Sequence, residues 1–214
     1  MKKTFRYGLL PVAAVLAGAI AGCGGSGNSA TPANAADRAF VAEMIPHHKL
    51  AVQMGQMAQM QGSRPQVKAL ASSIIATQTR EISVMTGIAS QISARVDNPP
   101  AGGQMQMGGA MGSNARTLGI AMDKMGMSMN MTQLSTAKPF DREFIDMMTP
   151  HHQGAITMAK AELAKGKNPK LRTLAQSIIS DQTREIGEMN TWRITWYGGP
   201  VPPGAAAAGG MQGM

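Results

Sequence analysis

An internal duplication limits most tightly what this chain can fold into. Residues 37–85 align with residues 141–189 without a gap at an offset of 104, and 22 of the 49 aligned positions are identical. The first copy opens DRAFVAEMIPHHKLAVQM and closes QTREISVM; the second opens DREFIDMMTPHHQGAITM and closes QTREIGEM. Uncommon residues coincide: Pro46 with Pro150, His47 with His151, His48 with His152. Shared composition does not produce such coincidences, so one structural unit is used twice.

Each unit reads as two helices. Asp37 and Asp141 stand where a helix N-cap belongs. Gly62 and Gly166 stand where a left-handed C-terminal cap would close the first helix. Pro65 and Pro169 suit the first turn of a second helix, with Asn168 as a cap before it. In the second helix Val67, Leu70, Ala71, Ile74, Ile75, Ile82 and Met85 recur at three- and four-residue spacing, and residues 171–189 repeat the pattern. One helix pair buries too little to be stable alone. Two pairs packed together make an all-α four-helix bundle, and this is the expected fold. The expected divisions are a first repeat at 37–94, a Met/Gly-rich linker at 95–138 with a short helix between Leu118 and Met131, a second repeat at 139–197 and a disordered tail at 198–214.

The N-terminus reads as an export signal over residues 1–22. Basic residues in MKKTFRY precede an apolar run from Gly8 to Ala21, too short to span a bilayer at ~20 residues. Ile20-Ala21-Gly22-Cys23 resembles the lipobox of bacterial lipoproteins, and Cys23 is the single cysteine. The expectation is an exported protein, lipid-anchored through Cys23 to the cell membrane or an outer membrane and facing the periplasm or exterior. Residues 23–36 would form a flexible tether. A blocked Cys23 leaves no thiol chemistry. The net charge is +8, yet the basic residues are scattered and aromatics are few, which argues against nucleic acid as a partner.

The chemistry concentrates in the first helix of each repeat. Met44, His47, His48, Ala51 and Met54 lie at relative positions 0, +3, +4, +7 and +10, within about 120° of one another on a helix. Met148, His151, His152, Ala155 and Met158 do the same, and the two pairs hold all four histidines of the protein. Pro46 and Pro150 fall inside this pattern; either they kink a continuous helix beside the histidines or the helix begins at proline. In the second helix Gln78, Glu81 and Met85, and likewise Gln182, Glu185 and Met189, share the apolar face. Facing a core, the glutamates need partners. Either they hold an imidazole N–H and fix its tautomer, as outer groups do for metal ligands, or they pair with Lys or Arg at the surface.

Imidazole with neutral thioether sulfur favours Cu(I), and Ag(I) by analogy, over hard cations. Di-iron bundles use Glu-x-x-His pairs, and none occurs here. The chain carries 20 methionines. Met105, Met107 and Met111, then Met122, Met125, Met127, Met129 and Met131, form runs in which a segment could wrap several sulfurs round one ion. Methionine is also an adaptable core filler, and that is the competing reading for Met54 and Met85. No nucleophile elbow or phosphate loop accompanies Ser72, Ser73, Ser177 or Ser180, so no enzymatic activity is expected.

The pattern F-x-x-x-M-x-P-H-H-x-x-A-x-x-M followed by Q-T-R-E-I-x-x-M, over residues 37–90 and 141–196, resembles the DUF305 family, in particular its CopM-type copper-binding members. The resemblance implies a ferritin-like four-helix bundle, exported, that binds Cu(I) and Ag(I) through Met and His in copper sequestration, transfer or tolerance, with a copper-handling protein as a partner. It makes Met44, His47, His48, Met54 and Met85 the first-copy candidates and Met148, His151, His152, Met158 and Met189 the second. The first copy departs at Leu50, where the second has Gly154, and at Ile88, where it has Trp192; both departures would weaken the first site. The alternative is a structural or partner-binding lipoprotein with a Met-rich surface and no physiological metal.

Overall fold

The computed structural model describes residues 33–97 and 109–202. Four long helices dominate: α1 (Ala35–Gln61), α2 (Pro65–Gln91), α5 (Phe140–Lys165) and α6 (Pro169–Tyr197). Between the pairs lie α3 (Ala110–Leu118), a 3-10 turn (Met122–Met125) and α4 (Met131–Thr136). Among the described residues no strand occurs, and among them no helix is long and apolar enough to cross a membrane. Cys23, the signal segment, Met105 and Met107 lie outside the described residues.

α1 packs on α2 and α5 on α6, and the pairs meet chiefly through α1 against α5. Those two helices run antiparallel, because the start of each meets the end of the other. Asp37 near the start of α1 accepts the backbone N–H groups of Lys167 and Asn168, just past the end of α5. Asp141 near the start of α5 accepts those of Ser63 and Arg64, just past α1. Arg64 and Asn168 are the N-cap residues of α2 and α6. Each aspartate therefore holds the turn that leads into the second helix of the opposite repeat. Neither is the N-cap residue expected from sequence, although Asp37 contributes to the start of its own helix as the third residue of a capping box. The N-cap of α1 is Asn34, in a capping box with Asp37, and that of α5 is Pro139. Ala35 and Ala36, expected in the tether, are already helical.

The glycines that end α1 and α5 also differ from expectation. Gly62 (φ −59°) and Gly166 (φ −67°) are extended rather than left-handed. What requires glycine is space: a Cβ would fall 2.5 Å from the Ala58 carbonyl at position 62, and 2.1 Å from Glu162 Oε1 at position 166. Pro65 and Pro169 do open the second helices. The helices continue past Pro46 and Pro150 without ending, so the prolines are interior and do not begin the helix. The short helix expected between Leu118 and Met131 is displaced: α3 ends at Leu118 against Gly119 (φ 74°), and the 3-10 turn follows.

The apolar core is divided in two. One half-core joins Phe40, Met44 and Ile45 of α1 with Met85 and Ile88 of α2, Met158 of α5, and Leu171 and Ile178 of α6. The other joins Met54, Val67, Leu70, Ile74, Phe140, Phe144, Met148 and Met189. In every long helix the residues between the two halves are the polar ones: His47 and His48, Gln78 and Glu81, His151 and His152, Gln182 and Glu185. Antiparallel packing of two equal units brings these eight side chains to one level. All are buried.

Candidate metal centre

The four histidines are fully buried. His48 Nε2 lies 2.8 Å from Glu81 Oε2, and His152 Nε2 lies 2.8 Å from Glu185 Oε2. The carboxyl oxygen accepts, so Nε2 carries the proton and Nδ1 is left with its lone pair. Both Nδ1 atoms lack a partner. Of the two readings open from sequence, the imidazole partner is the one realised in both repeats. Arg184 also approaches Glu185, at 3.6 Å.

The other two histidines meet at the approximate two-fold between α1 and α5. Their rings stack with centroids 3.6 Å apart and planes 13° apart. His151 Nδ1 lies 2.7 Å from the Gly126 carbonyl, and its Nε2 lies 3.1 Å from the His47 carbonyl. His47 has no partner at either ring nitrogen. Burial, aided by the charge that His151 would carry, holds the His47 imidazolium well below the ordinary histidine range. Burial, with His152 next, pushes His151 down to about 3. Both rings are therefore neutral near pH 7. A neutral imidazole has one N–H for two carbonyls, and the shorter contact assigns it to Gly126.

Both glutamines of the layer are also short of partners: Gln78 at Oε1, and Gln182 at both amide atoms. An unpartnered buried polar atom costs about 1–3 kcal/mol, against a total folding stability on the order of 5–15 kcal/mol. Several such atoms gathered at one level are an expense that apolar packing would avoid. The ring nitrogens among them are the donors a soft or borderline cation would use.

The methionines divide across the repeats. Met44 and Met85 share a half-core with Met158, and Met148 and Met189 share one with Met54. All six are fully buried. The sequence grouping by repeat, which set Met54 beside Met44 and Met85, is thus redrawn: antiparallel α1 and α5 carry the far end of each helix into the other repeat's half-core. Of the linker methionines, Met125 and Met127 enter the first half-core and Met129 the second. Met122 and Met131 are half-buried at the edges. The sulfur of Met189 lies 3.9 Å from Thr149 Oγ1.

Among the described residues no three His, Cys, Asp or Glu side chains form a metal-holding group. A metal bound in this core would therefore need sulfur, or the glutamine carbonyls, to complete its shell. Two surface hollows lie elsewhere, one lined by Arg116 and Met122 and the other by Arg142 and Glu143.

Residues 37–193 match the family model described as Domain of unknown function (DUF305). The chain belongs to the DUF305 family. Its fold is that of CopM. The Cu(I)-bound form of CopM is 33% identical with a TM-score of 0.59, over 76% of this chain and 98% of that one. The Cu(II)-bound form is 36% identical with a TM-score of 0.61, over 75% and 97%. The silver-soaked form is 32% identical with a TM-score of 0.59, over 76% and 97%. The uncharacterized protein L153 of Acanthamoeba polyphaga mimivirus is 43% identical over 51 residues, a stretch spanning 24% of this chain and 34% of that protein.

Sequence reasoning missed two residues of this DUF305 core. Gly126 supplies the carbonyl against His151. Gly154 makes room for it, since a Cβ there would fall 2.2 Å from the Met125 carbonyl oxygen. The signal was visible as the Leu50/Gly154 difference: in the repeat with Leu50 both ring nitrogens of His47 are unpartnered, and Gly154 admits the backbone that engages His151. Trp192 stacks on Trp196 with centroids 5.2 Å apart, and Arg64 of the first repeat lies 4.2 Å over Trp196, so this pair serves packing between the repeats.

Proposed function

We propose that this protein binds Cu(I), with Ag(I) as a surrogate, through histidine nitrogen and methionine sulfur outside the cytoplasm, and that it sequesters or transfers copper in support of tolerance. The observation that carries the reading is the set of buried, unpartnered ring nitrogens on His47, His48 and His152, flanked by methionine-containing half-cores on both sides. The similarity to CopM, solved with copper and with silver, supports the same reading.

The proposed ligands are His47, His48, His151 and His152 with Met44, Met85 and Met158 on one side and Met54, Met148 and Met189 on the other. Met122, Met125, Met127, Met129 and Met131 are subsidiary. Glu81 and Glu185 orient His48 and His152, and Gln78 and Gln182 line the same level. A bound Cu(I) would be held by charge-neutral soft donors in a dry interior, which suits a monovalent ion better than a divalent one. The role is binding rather than catalysis. The lipid anchor at Cys23 and the periplasmic or exterior location belong to the same proposal, as does a copper-handling protein partner.

Titration of the mature protein with Cu(I) against a competing chelator tests it. Replacing all four histidines with alanine is expected to lower affinity; unchanged affinity and stoichiometry would overturn these sites. The rival reading, a partner-binding lipoprotein whose methionines only pack, predicts no rise in melting temperature on adding silver.

A further inference from the structure

The two repeats are alike in sequence, yet their central histidines have different surroundings. Two contacts separate them: His151 Nε2 meets the His47 carbonyl with no reciprocal at His47, and His151 Nδ1 meets the segment Met125–Met129. The backbone of this segment lies directly on α5 at Pro150, His151 and Gly154. At position 126 (φ 67°) a Cβ would fall 2.8 Å from the His151 carbonyl and 2.9 Å from that of Pro150. At position 154 a Cβ would fall 2.2 Å from the Met125 carbonyl oxygen and 2.5 Å from the Gly126 nitrogen. Two glycines facing each other therefore permit a backbone-to-backbone approach that any other pair would block.

The repeat-equivalent of Gly154 is Leu50, which is fully buried. By repeat equivalence, Leu50 stands on α1 where Gly154 admits the segment on α5. His47 consequently has no carbonyl at Nδ1, whereas His151 has that of Gly126 at 2.7 Å. The second nitrogen of His151 faces the His47 carbonyl at 3.1 Å, so neither of its ring nitrogens is open to an ion. His47 has both nitrogens unpartnered. His48 and His152 do not differ in this way, since each is held by its glutamate and keeps Nδ1 unpartnered. The inequality lies between His47 and His151 alone.

We infer that the two histidine pairs load metal in order: His47 and His48 first, and His151 only after the Met125–Met129 segment leaves α5, with Gly154 as the residue that sets the order. The inference rests on the proposed binding of Cu(I) and Ag(I). Displacing the segment also withdraws Met125 and Met127 from one half-core and Met129 from the other. Late loading is thus coupled to a rearrangement of three sulfurs, while early loading is not.

The test is titration of the full-length protein with Ag(I), followed by long-range 1H–15N spectra of 15N-histidine-labelled samples. In the wild type the ring nitrogens of His47 and His48 are expected to respond during the first equivalent, and those of His151 only in a later one. In Gly154→Ala the added methyl displaces the segment, and His151 is expected to respond together with His47. If that variant does not fold, the order in the wild type decides alone. Simultaneous response of His47 and His151 in the wild type would overturn the inference, as would a late response of His151 in folded Gly154→Ala. Silver that binds while no histidine nitrogen responds in either protein would overturn the histidine ligation itself, a different pattern from simultaneous response.

Discussion

The imidazole of His47 lies flat on that of His151, with centroids 3.6 Å apart at the crossing of α1 and α5. Two imidazolium ions could not share that position, and burial keeps both rings neutral. The stack therefore places neutral nitrogen ligands at the joint between the repeats, on a level that also holds two glutamates and two glutamines. A layer of this kind in the middle of a bundle gives up apolar packing for donor atoms.

The glutamates define how His48 and His152 present their free nitrogens. Glu81→Gln and Glu185→Gln preserve volume but remove the anionic acceptor at 2.8 Å from each Nε2. Outer partners of metal-bound histidine are typically worth about 10–100-fold in affinity. A loss of that order in Cu(I) affinity is expected for the double variant, measured by chelator competition, with the helical circular dichroism retained. Wild-type affinity in a folded double variant would remove the glutamates from the site.

The redrawn methionine grouping can be separated from the sequence grouping. Leucine conserves volume, and such swaps usually cost less than about 1.5 kcal/mol each. The triple variant Met44→Leu, Met85→Leu and Met158→Leu removes the long-helix sulfurs of one half-core, leaving Met111, Met125 and Met127. It is expected to abolish one class of silver site and leave the other intact by calorimetry. The variant Met44→Leu, Met54→Leu and Met85→Leu, which follows the repeat instead, is expected to perturb both classes. If the second variant gave the cleaner loss, the antiparallel grouping would be wrong for binding.

Glu162 carries a pH dependence whose sign can be worked out. Its side chain is fully buried, no donor among the described residues reaches either oxygen, and it faces Asp37. Burial first, then the hydrogen bond and charge of Asp37, push its carboxyl up to about 8; Arg172 opposes this. A folded-state value raised above the ordinary carboxyl value of 4.5 means that the unfolded chain releases this proton first. Stability is therefore full below about pH 4.5 and falls as pH rises toward 8. Glu162→Gln is expected to remove that part of the slope and to raise the melting temperature at pH 8 relative to pH 5. An unchanged difference between the two pH values would show that Glu162 does not titrate in this way.

The reciprocal aspartates predict a pair of losses. Burial would raise the Asp37 carboxyl, but the backbone N–H groups of Asn34, Asn168 and Lys167 outweigh it and hold it below the usual carboxylate range, with help from Glu162. Asp141 serves Ser63 and Arg64, each at 2.9 Å. Replacing Asp37 with alanine strands the buried N–H of Asn168, whereas replacing Asp141 strands only the part-buried N–H groups of Ser63 and Arg64. A loss of about 1–3 kcal/mol is expected for Asp37→Ala and a smaller one for Asp141→Ala, read from urea unfolding at pH 7. The N–H groups held belong to the other repeat, so hydrogen exchange should rise at Lys167 and Asn168 in Asp37→Ala and at Ser63 and Arg64 in Asp141→Ala. Faster exchange confined to the variant's own repeat would contradict these reciprocal contacts.

The duplication, the helix pairs and the placing of each His-His pair on one helix face were legible from residue spacing, while the partner of Glu81 and Glu185 stayed open between imidazole and surface cations. Helical periodicity fixes which side chains share a face, and Pro65, Pro169 and Asn168 mark where the second helices start, because these are local properties of the backbone. The direction in which α1 passes α5 was not local. Spacing within one helix says nothing of which end of another it meets, so only the assembled bundle could bring the two histidine pairs to one level, move Met54 into the company of Met148 and Met189, or set Asp37 and Asp141 on the turns of each other's repeat. The inequality of His47 and His151 needed the tertiary structure for the same reason. It depends on a linker backbone that lies against α5 only where Gly126 and Gly154 leave room, a steric fit between segments far apart in the chain.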